Sequence, residues 1–239
     1  MKRILPFFII LAVLGLALGS AFYLTRSVPS TPTAVGQPAP QSPGTQATPV
    51  QQAPVNPGIP GAEPAHSHGA ANAPVQLEEF GDFECARCGA FHPVLKQMEA
   101  EFGDKVRVTF REFPLVTLHQ HAMAAASAAE AAGLQGKFWE MHDLLYDRQE
   151  KWKTQFDVRP IFEGYAREIG IDVERYKRDV NSDLVEQRIF NDGRRGHSLG
   201  VKGTPTVFMN GREVPFDQLM PIEKLRTTIQ NELQAAAKR

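Results

Sequence analysis

Three patterns of apolar and polar residues follow one another along the chain. The first is an uncharged apolar run from Ile4 to Leu24, behind Lys2 and Arg3 and ahead of Arg26. It is 21 residues long, and about 20 apolar residues span a bilayer as a helix. Basic residues on its leading side hold that end in the cytoplasm. Residues 1–26 are therefore expected to form a signal anchor that leaves the rest of the chain outside the membrane. Small residues at Ala17, Gly19 and Ala21 also permit cleavage as a signal peptide. Both outcomes export the chain. The second pattern runs from Ser27 to Pro74, where Glu63 is the only charge and 11 of the 18 prolines sit. Such a segment buries too little apolar surface to offset its ordering entropy. Residues 27–74 are expected to be a disordered, proline-rich tether with a mean reach of ~40 Å. His66 and His68, near its end, read as a solvated pair.

The third pattern is that of a folded domain beginning at Val75. Val75–Phe80 (VQLEEF) is a short strand candidate of imperfect period, and Val106–Phe110 (VRVTF) alternates at period two as a second strand. Between them a helix is expected from Cys85 to about Phe102, interrupted near Pro93. A helical block follows: His121–Ala132, Lys137–Tyr146, Ile161–Ile169, Val173–Asn181 and Leu184–Leu199. Beyond Gly203 the pattern returns to strand. Thr206–Met209 and Glu213–Val214 flank Asn210-Gly211, a type I′ hairpin signal, and a last helix is expected over Pro221–Ala236. The order β-α-β, helices, β-β-α predicts an α/β fold split by an all-helical insertion. Residues 75–113 and 195–239 form one domain in this reading, and 114–194 the insertion.

Charge changes little in this picture. The net value of −1 gives no field for nucleic acid or an acidic membrane surface. The cysteines change it a great deal. The chain has two, Cys85-Ala86-Arg87-Cys88, too few for a structural disulfide framework. Cys-x-x-Cys at a strand-to-helix junction suits thiol–disulfide exchange, because a thiolate attacks a disulfide and a helix N-terminus favours negative charge. Cys85 would carry the thiolate, and Cys88, one turn in, would lie close enough to close the ring. Zinc is the rival reading of the tetrapeptide, but none of His66, His68, His92, His119 and His121 has the usual pair spacing. No metal and no cofactor is expected beyond the redox-active pair itself. Gly203-Thr204-Pro205-Thr206 precedes a strand. A cis Thr204–Pro205 bond there would hold its loop beside the cysteines and offer Thr204 backbone groups to an extended substrate; a trans turn proline is the alternative.

Phe80-Gly81-Asp82-Phe83-Glu84-Cys85-Ala86-Arg87-Cys88 resembles the active-site stretch of the DsbA-like branch of the thioredoxin superfamily. Gly203-Thr204-Pro205-Thr206 resembles that family's cis-proline loop, and Phe138-Trp139-Glu140-Met141-His142 its inserted helical domain. The resemblance covers about residues 72–239. It implies a thioredoxin fold, with Cys85 as attacking sulfur, Cys88 as resolving sulfur and Pro205 in cis. It also implies that Glu79 is a buried acid assisting proton transfer at the resolving thiol, and that Pro93 kinks the active-site helix. Ala86-Arg87 departs from the family's usual dipeptide. The charge of Arg87 is expected to reach the Cys85 sulfur and hold its pKa near 5–6, between the thioredoxin and DsbA values.

These readings converge on a monomeric, extracytoplasmic thiol:disulfide oxidoreductase. Its partners would be exported protein clients and, by the resemblance, a membrane quinone-linked reoxidase of DsbB or VKOR type. A reductase serving one dedicated client and a non-catalytic binding module are the alternatives.

Overall fold

The computed structural model describes residues 58–238. The expected signal anchor and most of the expected tether lie outside the described residues. Among the described residues no helix is long and apolar enough to cross a membrane.

The sheet has the order β1-β3-β2-β4-β5, with β1 at His66–His68, β2 at Val75–Gly81, β3 at Val106–Glu112, β4 at Thr206–Met209 and β5 at Arg212–Val214. β2 and β3 run parallel, with Val75 opposite Val106 and Gly81 opposite Glu112. In both, buried and half-buried residues alternate before three consecutive buried ones. The sheet is therefore covered on both faces where β2 ends, at the site of the cysteines. β4 pairs antiparallel with β2, placing Val207 opposite Glu79. Asn210 and Gly211, at φ 48° and 76°, form the expected tight turn into β5.

Helix α1 (Ala86–Phe102) crosses over between β2 and β3. It buries Phe91, Leu95 and Met98 against the sheet and Cys88 where the sheet meets the insertion, a stripe at helical spacing. The expected interruption at Pro93 does not occur; the helix runs through it. Proline removes one donor and crowds the carbonyl four residues back, here that of Gly89. The buried stripe on both sides of Pro93 holds the two halves in one helix. The insertion comprises α2 (Ala122–Gly133), α3 (Phe138–Asp147), α4 (Gln149–Trp152), α5 (Arg159–Glu168), α6 (Val173–Asp179) and α7 (Asp183–Ser198). After the sheet returns come α8 (Phe216–Leu219) and α9 (Ile222–Ala236). α4 and α8 are single turns, too short to leave a periodic trace in sequence.

Two main apolar clusters result. One lies among the sheet, α1 and α9, with Val75, Val108, Met98, Leu225 and Ile229. The other is the interior of the insertion, with Leu145, Trp152, Phe162 and the alanines of α2, and it extends to Phe83, Phe110, Cys85 and Cys88. The cysteines thus sit where the insertion meets the sheet.

The N-terminal boundary at Val75 needs correction. β1 pairs antiparallel with β3, His66 opposite Phe110. Ahead of it, Ile59 N–H donates to Ser198 Oγ at 3.0 Å, and Ala62 N–H to Asp192 Oδ1 at 2.7 Å. Arg111 and Arg188 donate to the carbonyls of Ala62 and Pro64. His66 is no solvated linker residue: its Nε2 lies 3.0 Å from Glu130 Oε2, and its ring stacks on Phe138 with centroids 3.6 Å apart. The segment from residue 58 is tethered by cations and carboxylates that lie far away in sequence, so its own composition does not betray its order.

Candidate active site

The turn between β2 and α1 is built by carboxylates. Buried Asp82 accepts Glu84 N–H on one oxygen and both Leu115 N–H and His119 Nδ1 on the other, each at 2.8 Å. Glu84 accepts His121 N–H at 2.6 Å. From the insertion, Gln149 Nε2 donates to the carbonyls of Phe83 and Cys85 at 2.6 and 3.0 Å. Gly89 makes room for this amide; a Cβ there would meet Gln149 Oε1 at 2.8 Å. Asp82 and Glu84 belong to the motif, but nothing in sequence marked their bonds, and Gln149 lies in a single-turn helix that no periodicity revealed.

Held this way, Cys85 is the N-cap of α1, with extended backbone and no side-chain cap of its own. Both cysteines are free thiols; Cys88 is fully buried and Cys85 7% exposed. The Thr204–Pro205 bond is cis, and the Cys85 thiol donates to the Thr204 carbonyl at 3.4 Å. The expected residues Cys85, Cys88, Thr204 and Pro205 therefore meet at one point. Glu79 lies buried behind them in β2.

The two sulfurs differ in electrostatics. The pKa of Cys85 is lowered from about 9 to about 5, first by the hydrogen bond from the Cys88 thiol. Burial opposes this; the Thr204 side chain and the backbone N–H groups of Cys88 and Arg87 add to the lowering. The Thr204 hydroxyl is buried without a hydrogen-bond partner and favours the thiolate, whereas the Thr204 carbonyl accepts from the thiol. Cys88 is pushed well above its ordinary value by burial, by its bond to Cys85, and by the charge of Glu79. Burial also raises Glu79 to about 8, with smaller contributions from Glu99 and Cys85.

The expected route from Arg87 to this thiolate is overturned. The Arg87 guanidinium lies 3.6 Å from the centroid of the Phe216 ring, exposed to solvent. Its charge is not among the leading causes at Cys85; its backbone N–H is. The low pKa is as expected, but the helix start and two side chains produce it. The Arg87 side chain instead lines a groove of about 380 Å³ with Lys202, Thr204, Pro205 and Glu213.

The family model described as Thioredoxin matches residues 62–231. The chain belongs to that family. BdbD from Bacillus subtilis, in its oxidised form, superimposes with a TM-score of 0.63 at 21% identity, over 75% of this chain and 100% of the other. A thioredoxin-like oxidoreductase from Silicibacter pomeroyi gives 0.57 at 27% identity, over 73% and 93%. The thiol-disulfide exchange protein alpha-DsbA2 of Wolbachia pipientis gives 0.60 at 24%, over 70% and 86%. Together these show the thioredoxin fold with a helical insertion, and the Cys85–Cys88 pair lies at their shared junction. Curated relatives include Na(+)/H(+) antiporter NhaA 1 of Salinispora arenicola, 40% identical over 62% of this chain and 22% of the relative. The protein of the same name from Mycolicibacterium vanbaalenii is 38% identical over 61% and 23%. The chain thus spans less than a quarter of the length of these relatives.

Proposed function

We propose that the chain exchanges disulfides in exported proteins outside the cytoplasm, acting as an oxidant of moderate strength. The observation that carries this reading is the asymmetry of the pair: Cys85 low at about 5, Cys88 raised and buried, and the Thr204 carbonyl 3.4 Å from Cys85 Sγ. In the oxidising direction a client thiolate attacks Cys85 Sγ, and the Cys85–Cys88 bond breaks. Cys88 leaves as a thiolate in an apolar setting and takes up a proton, for which Glu79 is the acid. A second client thiolate then attacks the client sulfur of the mixed disulfide. Cys85 departs, and its low pKa makes it a good leaving group. One client disulfide forms and one enzyme disulfide is reduced, so two electrons pass to the enzyme. A membrane quinone-linked reoxidase of DsbB or VKOR type would take them on.

Clients would lie along the cis-proline loop, offering backbone groups to Thr204 as an added strand, with Arg87 on the groove wall. The apolar run Ile4–Leu24 behind Lys2 and Arg3 supports a location outside the cytoplasmic membrane, anchored or released. A thiolate two pKa units below thioredoxin's is worth about 60 mV, which puts the couple near −210 mV.

The test is capture of clients. Cys88→Ser should accumulate mixed disulfides through Cys85, while Cys85→Ser should trap almost nothing and lose activity. Equal capture by the two variants would refute Cys85 as the attacking sulfur. A potential near −270 mV in glutathione buffer would favour the dedicated reductase.

A further inference from the structure

One turn beyond Cys88 on the same face of α1, His92 points into the insertion. Its ring stacks on Tyr146, with centroids 5.2 Å apart, and meets His142 edge-on at 5.3 Å. The imidazoles of His92 and His142 are each at least 95% buried. His92 Nε2 is buried yet makes no hydrogen bond of good geometry. Beside it stand two carboxylates of α3, Asp147 Oδ1 at 3.3 Å and Asp143 Oδ1 at 3.8 Å. Asp143 Oδ1 also lies 3.1 Å from His142 Nδ1.

We infer that His92, His142 and Asp143 form a site for one divalent transition-metal ion of the zinc class, joining the active-site helix to the insertion. The donor atoms of the three residues all lie within 4.8 Å of one another. A tetrahedral ion with bonds of 2.0–2.2 Å sets its donors about 3.3–3.6 Å apart. Asp143 Oδ1 lies 3.1 Å from His142 Nδ1 and 3.8 Å from His92 Nε2, on either side of that edge length, and the two histidine donors lie within 4.8 Å of each other, so side-chain rotations close the set. Two imidazoles and a carboxylate are ligands that such an ion favours and that suit magnesium or calcium less well. The fourth position falls to Asp147 or to water. Lys96 Nζ holds the other oxygen of Asp143 at 2.5 Å, which fixes that carboxylate, and an ion would replace the hydrogen bond between Oδ1 and His142 Nδ1. Phe83, Phe110, Trp139 and Tyr146 pack around the His142 ring, an apolar shell that strengthens coordination. The entry path lies on the solvent side, where the Asp147 side chain is 59% exposed. Sequence spacing did not disclose the set, because its histidines come from separate helices about fifty residues apart.

The experiment titrates Zn²⁺ into the full chain with the Cys85–Cys88 disulfide formed, so that neither sulfur can ligate. One ion per chain should bind, and X-ray absorption should show nitrogen and oxygen neighbours only. Asp143→Asn, at the partly exposed rim where folding is not at risk, should weaken binding at least about tenfold, and His142→Ala should abolish it. His68→Ala, outside the cluster, should leave it unchanged. Binding confined to the reduced protein, sulfur in the absorption spectrum, unchanged affinity in Asp143→Asn, or loss in His68→Ala would each overturn the assignment.

Discussion

The front and the rear of the cysteine pair face opposite physics within a few ångströms. At the front, around Cys85, polar groups converge: the Thr204 side chain, the first N–H groups of α1 and the Cys88 thiol all favour a thiolate. At the rear, around Cys88, charge is refused. Burial raises Cys88, Glu79 and Glu112, and both Glu112 oxygens and the Tyr146 hydroxyl are buried without a partner. The difference teaches that the direction of exchange is written in desolvation as much as in local charge. A single tetrapeptide supplies both sulfurs, and the turn that bends from β2 into α1 puts one at the mouth and the other in the core.

The largest effect should come from breaking the rear. Glu79→Gln keeps shape and removes the group that exchanges a proton with Cys88. Exchange rates should fall about 10²-fold, and the pH profile should lose its inflection near 8, the value to which burial raises Glu79. Stopped-flow exchange against a model peptide disulfide across pH 6–9 reads both, and an inflection that survives in the variant would remove Glu79 from the proton path.

The front can be isolated by comparing redox states. Folding lowers the Cys85 pKa from about 9 to about 5. The resulting stabilisation of the reduced protein is therefore complete above pH 9, declines below it, and is lost as pH falls through 5. At pH 7 its upper limit is about 2.7 kcal/mol, two units at about 1.4 kcal/mol each, reduced by solvent on the open side of the sulfur. The oxidised protein has no thiolate and no such contribution. Thermal denaturation should show the reduced form losing stability relative to the oxidised form between pH 7 and pH 5. A gap independent of pH would mean that Cys85 is not ionised in the folded state.

Much of this contrast was legible in the residues. Alternation located β3, a short apolar segment of imperfect period located β2, Asn210-Gly211 marked the hairpin, and the motif stretch with Gly203-Thr204-Pro205 named the residues that meet. What stayed hidden has a common cause. Gln149, the β1 segment and the pairing of His92 with His142 depend on contacts between residues tens of positions apart, and each element involved is either short or compositionally plain. Pro93 shows the opposite failure. Its local rule predicts a broken helix, but the buried stripe from Cys88 to Met98 overrides it. Arg87 is a third kind, since sequence gives its place in the chain but not the ring of Phe216 that holds its guanidinium.

The smallest effects separate two accounts of the front. If neutral donors hold the thiolate, Thr204→Val should matter more than Arg87→Ala. Removing one hydroxyl donor loses about 1–1.5 kcal/mol of preference for the thiolate. That raises the Cys85 pKa by about one unit and makes the potential about 30 mV more negative. The exposed guanidinium on Phe216 acts across solvent, where a unit charge at contact range is worth about 1 kcal/mol or less and is screened by salt. Arg87→Ala should therefore shift Cys85 by less than about half a unit, and 0.5 M salt should erase even that. Its backbone N–H, one of the groups lowering Cys85, is retained in the alanine variant. Thiolate absorbance at 240 nm, titrated from pH 3 to 9 in both variants, ranks the two. If Arg87→Ala moved Cys85 further than Thr204→Val, charge rather than neutral hydrogen bonding would govern the front of the site.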